Sequence, residues 1–179
     1  FVTYHTPMPS TELYAGVDDY TINRLKKVLF GAKIGDLQNP INMPVKTLVG
    51  GSAKGILTGG NLSLVSSSLG TPYEIDTKDK ILFLEDVGEE PYRIDRMISH
   101  LKAAGKFRDC AGIILGYYTD CNAENPEKSL TLEQVFTELI APEHKPAVMN
   151  FACGHSLPSL SLPLGMEIGL NSLSGKITV

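Results

Sequence analysis

Residues Lys80–Leu101, KILFLEDVGEEPYRIDRMISHL, decide the fold. The stretch opens on an unbroken apolar run, Ile81–Leu84, the pattern of a strand buried on both faces. The run ends on Glu85-Asp86, turns at Gly88 and restarts as a helix behind Pro91, a residue suited to the first helical position. Glu89 and Glu90 put negative charge at the positive end of that helix. Ile94, Met97, Ile98 and Leu101 recur at helical spacing as one buried face, and Gly105 stops the helix. Open α/β sheets place their chemistry at the carboxyl ends of buried strands, which makes Glu85 the first catalytic candidate. A solvated strand-end charge is the competing reading.

Outward from this centre, Ala111–Tyr117 (AGIILGY) and Pro146–Phe151 (PAVMNF) read as two more core strands. Between them Asp120–Lys128 is an exposed loop, and Thr131-x-x-Gln134 is a capping box for a helix burying Leu132, Val135, Phe136 and Leu139. Leu48–Gly51 and Gly55–Thr58 are expected as short strands around a glycine-rich turn. That turn lacks the Lys-Ser/Thr of a phosphate loop. Asn61 N-caps a short helix running toward Gly70, and Gly59 and Gly60 before it let a backbone or a ligand come close. Free amides at that helix start suit an anion; a simple capped turn is the alternative. Met166, Ile168 and Leu170 alternate, as do Ile177 and Val179, around a Ser172–Gly175 turn, a closing antiparallel hairpin.

Near the start, Phe1–Tyr4 alternates like a strand tail, and His5-Thr6-Pro7-Met8-Pro9 is a rigid connector. Asp18 or Asp19 caps a helix whose Ile22, Leu25 and Leu29 share a face, ended by Gly31. Asn39-Pro40 and Met43-Pro44 punctuate a loop, which sets the expected division: residues 1–44 as a connector with one helix, the tail of a missing amino-terminal domain, and 45–179 as the compact domain. The start on Phe1 and the stop on Val179 both look cut, so a piece of a longer protein is expected. Continuous strands joined by helices, with alternating hairpin strands, predict an α/β domain having a parallel sheet and a smaller antiparallel one.

Composition narrows the function. The 179 residues carry 20 Asp+Glu against 16 Lys+Arg without a basic run, which argues against nucleic acid or an anionic membrane as partner. No apolar stretch approaches the roughly 20 residues of a membrane span. Cys110, Cys121 and Cys153 form neither an even framework nor a CxxC pair, and a reducing cytoplasm suits them. Cys153 and His155 are two possible ligands without a third, so no metal is expected.

Glu85 and His155, each at a strand end, have the make-up of the orienting and proton-carrying parts of a nucleophilic triad. Gly154 permits close backbone approach beside His155. His100 within a helix, His144 between prolines and His5 in the connector are less well placed for chemistry. Ser52 lacks the G-x-S-x-G elbow, as do Ser10, Ser66–Ser68 and Ser156, so no serine of the chain is read as the nucleophile.

These residues carry a resemblance. Leu57–Leu62 (LTGGNL), Leu69–Pro72 (LGTP), Ile81–Val87 (ILFLEDV) with Glu89, Tyr92–Arg96 (YRIDR), Gly154-His155 and Leu162–Gly165 (LPLG) stand in the order found in the carboxy-terminal domain of the LD-carboxypeptidases. These are serine peptidases related to the microcin-immunity peptidases. The chain resembles that domain over Leu48–Val179, and Val2–Met8 is similar to the segment leading out of the family's amino-terminal domain. The resemblance implies a swivelling β/β/α fold and a Ser-Glu-His triad divided between two domains. Glu85 and His155 then supply the glutamate and histidine, and the missing domain supplies the serine. It further implies release of terminal D-alanine from murein tetrapeptides in cytoplasmic cell-wall recycling, no cofactor or metal, and a homodimer. Gly59, Gly60 and Asn61 are expected to border the substrate cleft. Arg93 and Arg96 are either carboxylate clamps or structural ion-pair partners of Glu89, Glu90 or Asp95. Two other readings stay open: a phosphohistidine carrier using His155, which leaves Glu85 without a purpose, and a catalytically silent domain.

Overall fold

Ile81–Val87 forms the middle strand of the molecule, with every side chain from Ile81 to Asp86 buried. The computed structural model describes residues 1–31 and 33–179. In chain order the strands are β1 (Thr3–His5), β2 (Lys46–Val49), β3 (Ser52–Asn61), β4 (Ile81–Val87), β5 (Gly112–Thr119), β6 (Ala147–Met149), β7 (Leu162–Leu164), β8 (Glu167–Asn171) and β9 (Lys176–Thr178). The helices are α1 (Asp19–Leu29), α2 (Leu62–Ser67), α3 (Pro91–Ala103), α4 (Lys106–Asp109) and α5 (Leu132–Leu139). A π-helical turn, Pro9–Leu13, and two short 3₁₀ turns are the remaining elements among the described residues.

Seven strands form one mixed sheet in the order β2-β6-β5-β4-β3-β8-β9, and β1 pairs with β7 in a separate two-stranded antiparallel sheet. Strands β6, β5, β4 and β3 run parallel, as continuous apolar runs linked through helices require. The β8–β9 hairpin joins antiparallel to the first half of β3. The expected α/β class, with parallel and antiparallel parts, is the observed one; the two parts meet on β3. The hairpin end curls back toward β2, where the Ser172 hydroxyl donates to the carbonyls of Val49 and Gly51.

The pleat of β4 divides the core. Leu82 and Leu84 face α2, α3 and α5 and pack with Ile94, Ile98, Leu101, Val135 and Phe136. Ile81 and Phe83 face the other way, into Leu57, Ile114, Phe151, Leu162, Ile168 and Ile177. Each of these large side chains removed from water contributes about 1.5–3 kcal/mol. Glu85 continues the Ile81–Phe83 face by the same alternation, and Asp86 continues the helical face. Opposite Glu85 the register slips, with Leu84 paired to Leu115 but Asp86 to Tyr118, a bulge that places Gly116 and Tyr117 against one residue of β4.

Local expectations mostly hold. Pro91 opens α3, Asp18 caps α1 through Thr21, Asn61 caps α2 through Leu64, and the Thr131–Gln134 capping box is complete. Gly105 follows α3 in the left-handed region, φ 75°. Some details differ. The turn after β2 is only Gly50-Gly51, because Ser52, Ala53 and Lys54 already pair with Asn171, Leu170 and Gly169. Strands β2 and β3 are not neighbours. In α1, Leu29 is exposed, and Thr21 joins Leu25 on the buried face. Within the Asp120–Lys128 loop Cys121 is buried. Strand β7 is short, contains Pro163 and pairs only with β1, so it carries little pattern of its own. Residues before 45 pack onto the sheet: Leu37 is fully buried and bridges Ile177.

Candidate active site

The buried carboxylate of Glu85 and the imidazole of His155 meet at the carboxyl end of the parallel strands. Nδ1 of His155 lies 2.8 Å from Oε2 of Glu85, within the range expected of a direct hydrogen bond. The Glu85 side chain has no exposure, and that of His155 is 29% exposed. Oε1 of Glu85 is buried without a hydrogen-bond partner among the described residues. Burying a carboxylate costs several kcal/mol unless a cation or donor faces it, and the His155 ring nitrogen is the group that faces this one.

His155 arrives by a route the sequence did not display. After β6 the chain turns through Asn150, φ 61°, and runs on beside β5: Phe151 N–H donates to Leu115 O, and Tyr117 N–H to Cys153 O. The Asn39 side chain clamps this run, donating to Asn150 O at 2.7 Å and accepting from Ala152 N–H at 2.8 Å. Thr21 of α1 accepts from Ser159 N–H at 2.8 Å. Gly154 has φ 133°, and a Cβ there would stand 3.0 Å from Glu85 Oε2. Gly116 is more constrained still, since its Cβ would overlap the Cys153 carbonyl oxygen and press on the Phe83 ring and Glu85 Cβ. Both glycines make room for the carboxylate.

A cleft of about 320 Å³ opens over the pair, lined by Tyr4, His5, Met8, Glu12, Asn61, Leu64, Gly154 and the pair itself. Asn61 therefore borders the cleft. Gly59 and Gly60 are not among its walls: Gly59 faces the Phe83 backbone of β4, where a side chain would overlap the carbonyl oxygen, and Gly60 has φ 144° and open space. Arg93 lies outside the cleft, exposed, 3.4 Å from Glu89 and beside the Tyr92 ring, and Arg96 stands over the same ring. The structural-partner alternative describes Arg93.

Two features at or beside the cleft went unread in the sequence. His5, set aside as a connector residue, is partly buried in the cleft with its ring edge-on to Phe83, centroids 5.3 Å apart. Burial holds its pKa below the usual 6.5; the nearby Glu85 charge opposes that shift and His155 adds to it. Asp86 is 2% exposed and accepts from Asn61 Nδ2, Ser63 N–H, Ser63 Oγ and Val87 N–H, at 2.8–3.0 Å. It ties the start of α2 to the end of β4. The acidic doublet was the available signal: on a strand, neighbours face opposite ways and take different tasks. Cys153 is fully buried, and burial pushes its thiol well above the ordinary range, with the Glu85 charge adding to the effect, which disfavours the reactive thiolate. Among the described residues, no three His, Cys, Asp or Glu side chains are grouped to hold a metal ion. Nor, among those residues, is any helix long and apolar enough to cross a membrane.

Comparison with known proteins gives the family. The family model for the LD-carboxypeptidase C-terminal domain matches residues 54–170. A probable murein peptide carboxypeptidase of Bacillus subtilis (strain 168) is 43% identical over 174 residues, covering 96% of this chain and 53% of that protein. The microcin C7 self-immunity protein MccF of Escherichia coli is 31% identical over 133 residues, covering 72% of this chain and 37% of that protein. The crystal structure of muramoyltetrapeptide carboxypeptidase from Oxalobacter formigenes superposes with a TM-score of 0.80 at 25% identity, over 98% of this chain and 60% of that one. The chain spans about half the length of the curated relatives it matches. With the family model covering well over half of its residues, this chain belongs to the LD-carboxypeptidase family and carries that family's C-terminal domain.

Proposed function

We propose that the chain contributes Glu85 and His155 to a Ser-Glu-His serine carboxypeptidase that releases terminal D-alanine from murein tetrapeptides in cytoplasmic cell-wall recycling. The supporting observation is the 2.8 Å contact between His155 Nδ1 and Glu85 Oε2. With Nδ1–H donated to the carboxylate, Nε2 is the basic nitrogen, and it can take a proton from a serine hydroxyl as that oxygen attacks the peptide carbonyl. Glu85 holds the tautomer and stabilises the imidazolium. His155 then returns the proton to the departing D-alanine nitrogen, and water, activated the same way, releases the acyl group. No serine lines the cleft, and none of the described serines bonds to His155, so the nucleophile and oxyanion donors are assigned to an amino-terminal domain. The exposed apolar side chains around the cleft, Tyr4, Met8 and Leu64, suit contact with that domain. Asn61 has amide capacity left for a peptide group, and a homodimer is the proposed assembly.

The test is complementation. This chain alone should release no D-alanine from a murein tetrapeptide, and adding a separately expressed amino-terminal domain should restore release. Glu85→Ala or His155→Ala should abolish it, because losing one triad member costs on the order of 10⁴–10⁶ in turnover. Hydrolysis by the chain alone that survives both substitutions overturns the assignment. The likeness to MccF favours a second reading, peptide-antibiotic immunity, and the same assay with microcin C7 as substrate separates the two.

A further inference from the structure

His155 uses only one oxygen of Glu85. The other, Oε1, is fully buried on the Phe83 side of β4 and has no partner among the described residues. Phe83 and Glu85 are two apart on a strand, so their side chains stand on one face about 6.6 Å apart along it. His5 packs edge-on against Phe83 and lines the cleft with Glu85 and His155. Its backbone is held there by the β1–β7 pairing, in which His5 stands opposite Leu162. We propose that His5 is a positioning residue for the site: a second imidazole sharing the cleft with Glu85, available to the Oε1 that His155 leaves free.

A neutral imidazole N–H turned to Oε1 would satisfy the buried oxygen and leave the negative charge to His155. A protonated His5 would do the reverse, neutralising Glu85 and repelling the imidazolium that catalysis forms. The titratable and charged groups facing His5 are Glu85 from β4, His155 from the run after β6, and Glu12 from the π-helical turn. Burial keeps His5 on the neutral side, consistent with this role. The catalytic consequence rests on the peptidase reading; the coupling between His5 and Glu85 does not.

Imidazole NMR titration of this chain tests the coupling without any reaction. Glu85→Gln should lower the His5 pKa and His155→Gln should raise it, each by about half a unit or more. Should Glu85→Gln not fold, the wild-type nitrogen spectrum decides: His5 should take its second proton at a pH below the usual 6.5. A His5 that titrates as a free imidazole, or ignores both substitutions, overturns the proposal. In the protein with its amino-terminal domain, His5→Phe keeps an aromatic ring against Phe83. It should lower kcat about tenfold with KM within about twofold, while His5→Gln, which keeps a donor, retains most of kcat. A His5→Phe enzyme with wild-type kcat and pH profile refutes the positioning role. An unaltered protein that releases no D-alanine refutes the peptidase reading instead and leaves the titration to decide the coupling.

Discussion

Asn61 Nδ2 donates a 2.9 Å hydrogen bond to Oδ1 of Asp86, while Asn61 Oδ1 accepts from the Leu64 N–H. One side chain thus caps α2 and ties it to the end of β4, beside the strand position that carries Glu85. Asn61 and Glu85 are register partners in the parallel β3–β4 pair. The cleft wall at Asn61 is therefore only as firm as Asp86.

Asp86→Ala should destabilise the fold by about 3 kcal/mol, since four donors lose a buried charged acceptor. Asp86→Asn keeps acceptor capacity on one oxygen and should cost less. Urea unfolding followed by circular dichroism measures both; an Asp86→Ala midpoint equal to wild type would show that the network contributes nothing.

Gly154→Ala brings a Cβ 3.0 Å from Glu85 Oε2 and forces φ 133° on a residue that avoids it. Displacing the carboxylate by a fraction of an ångström loosens the 2.8 Å contact. Turnover in the complemented enzyme should fall by about 10², with a stability loss of about 1–3 kcal/mol. The paired measurement of kcat and melting temperature checks it. Full turnover at unchanged stability would refute the close-packing account.

Gly59→Ala and Gly60→Ala should differ sharply although both positions have positive φ. At Gly59 the methyl overlaps the Phe83 carbonyl, so the β3–β4 ladder must open, at a cost above about 4 kcal/mol. At Gly60 the space is free, and only backbone strain of about 1–3 kcal/mol remains. Yields and unfolding midpoints of the two variants give the comparison; similar behaviour would be the contrary result.

His5 also predicts a pH effect on stability. Its folded pKa lies below 6.5, so the unfolded chain binds this proton more readily. The stability His5 leaves intact at neutral pH is thus eroded as pH falls from about 6.5 toward the lower folded value. The melting temperature of wild type should drop between pH 7.5 and pH 5.5 by more than that of His5→Phe. Parallel curves for the two proteins would contradict a depressed pKa.

Local pattern alone determined much of this protein. The apolar run at Ile81–Leu84, Pro91 at the start of a helix, the Thr131–Gln134 box and the alternating hairpin at the end all act over a few residues. Each states its own conformation without help from the rest of the chain. Glu85 and His155 were legible as candidates because a charge at the end of a buried strand and a histidine after a glycine are conspicuous in one dimension. Tertiary structure decided which groups surround them. Asn39 clamps a run more than 100 residues away, Asp86 turns to the opposite face from Glu85, and His5 reaches the cleft through the β1–β7 pairing. None of these follows from periodicity, because hydrogen bonds and ring contacts across distant segments depend on where the sheet curls and on the bulge beside Glu85. The sequence names the residues that want burial or a cap; only closure of the sheet tells a buried carboxylate which imidazoles it will meet.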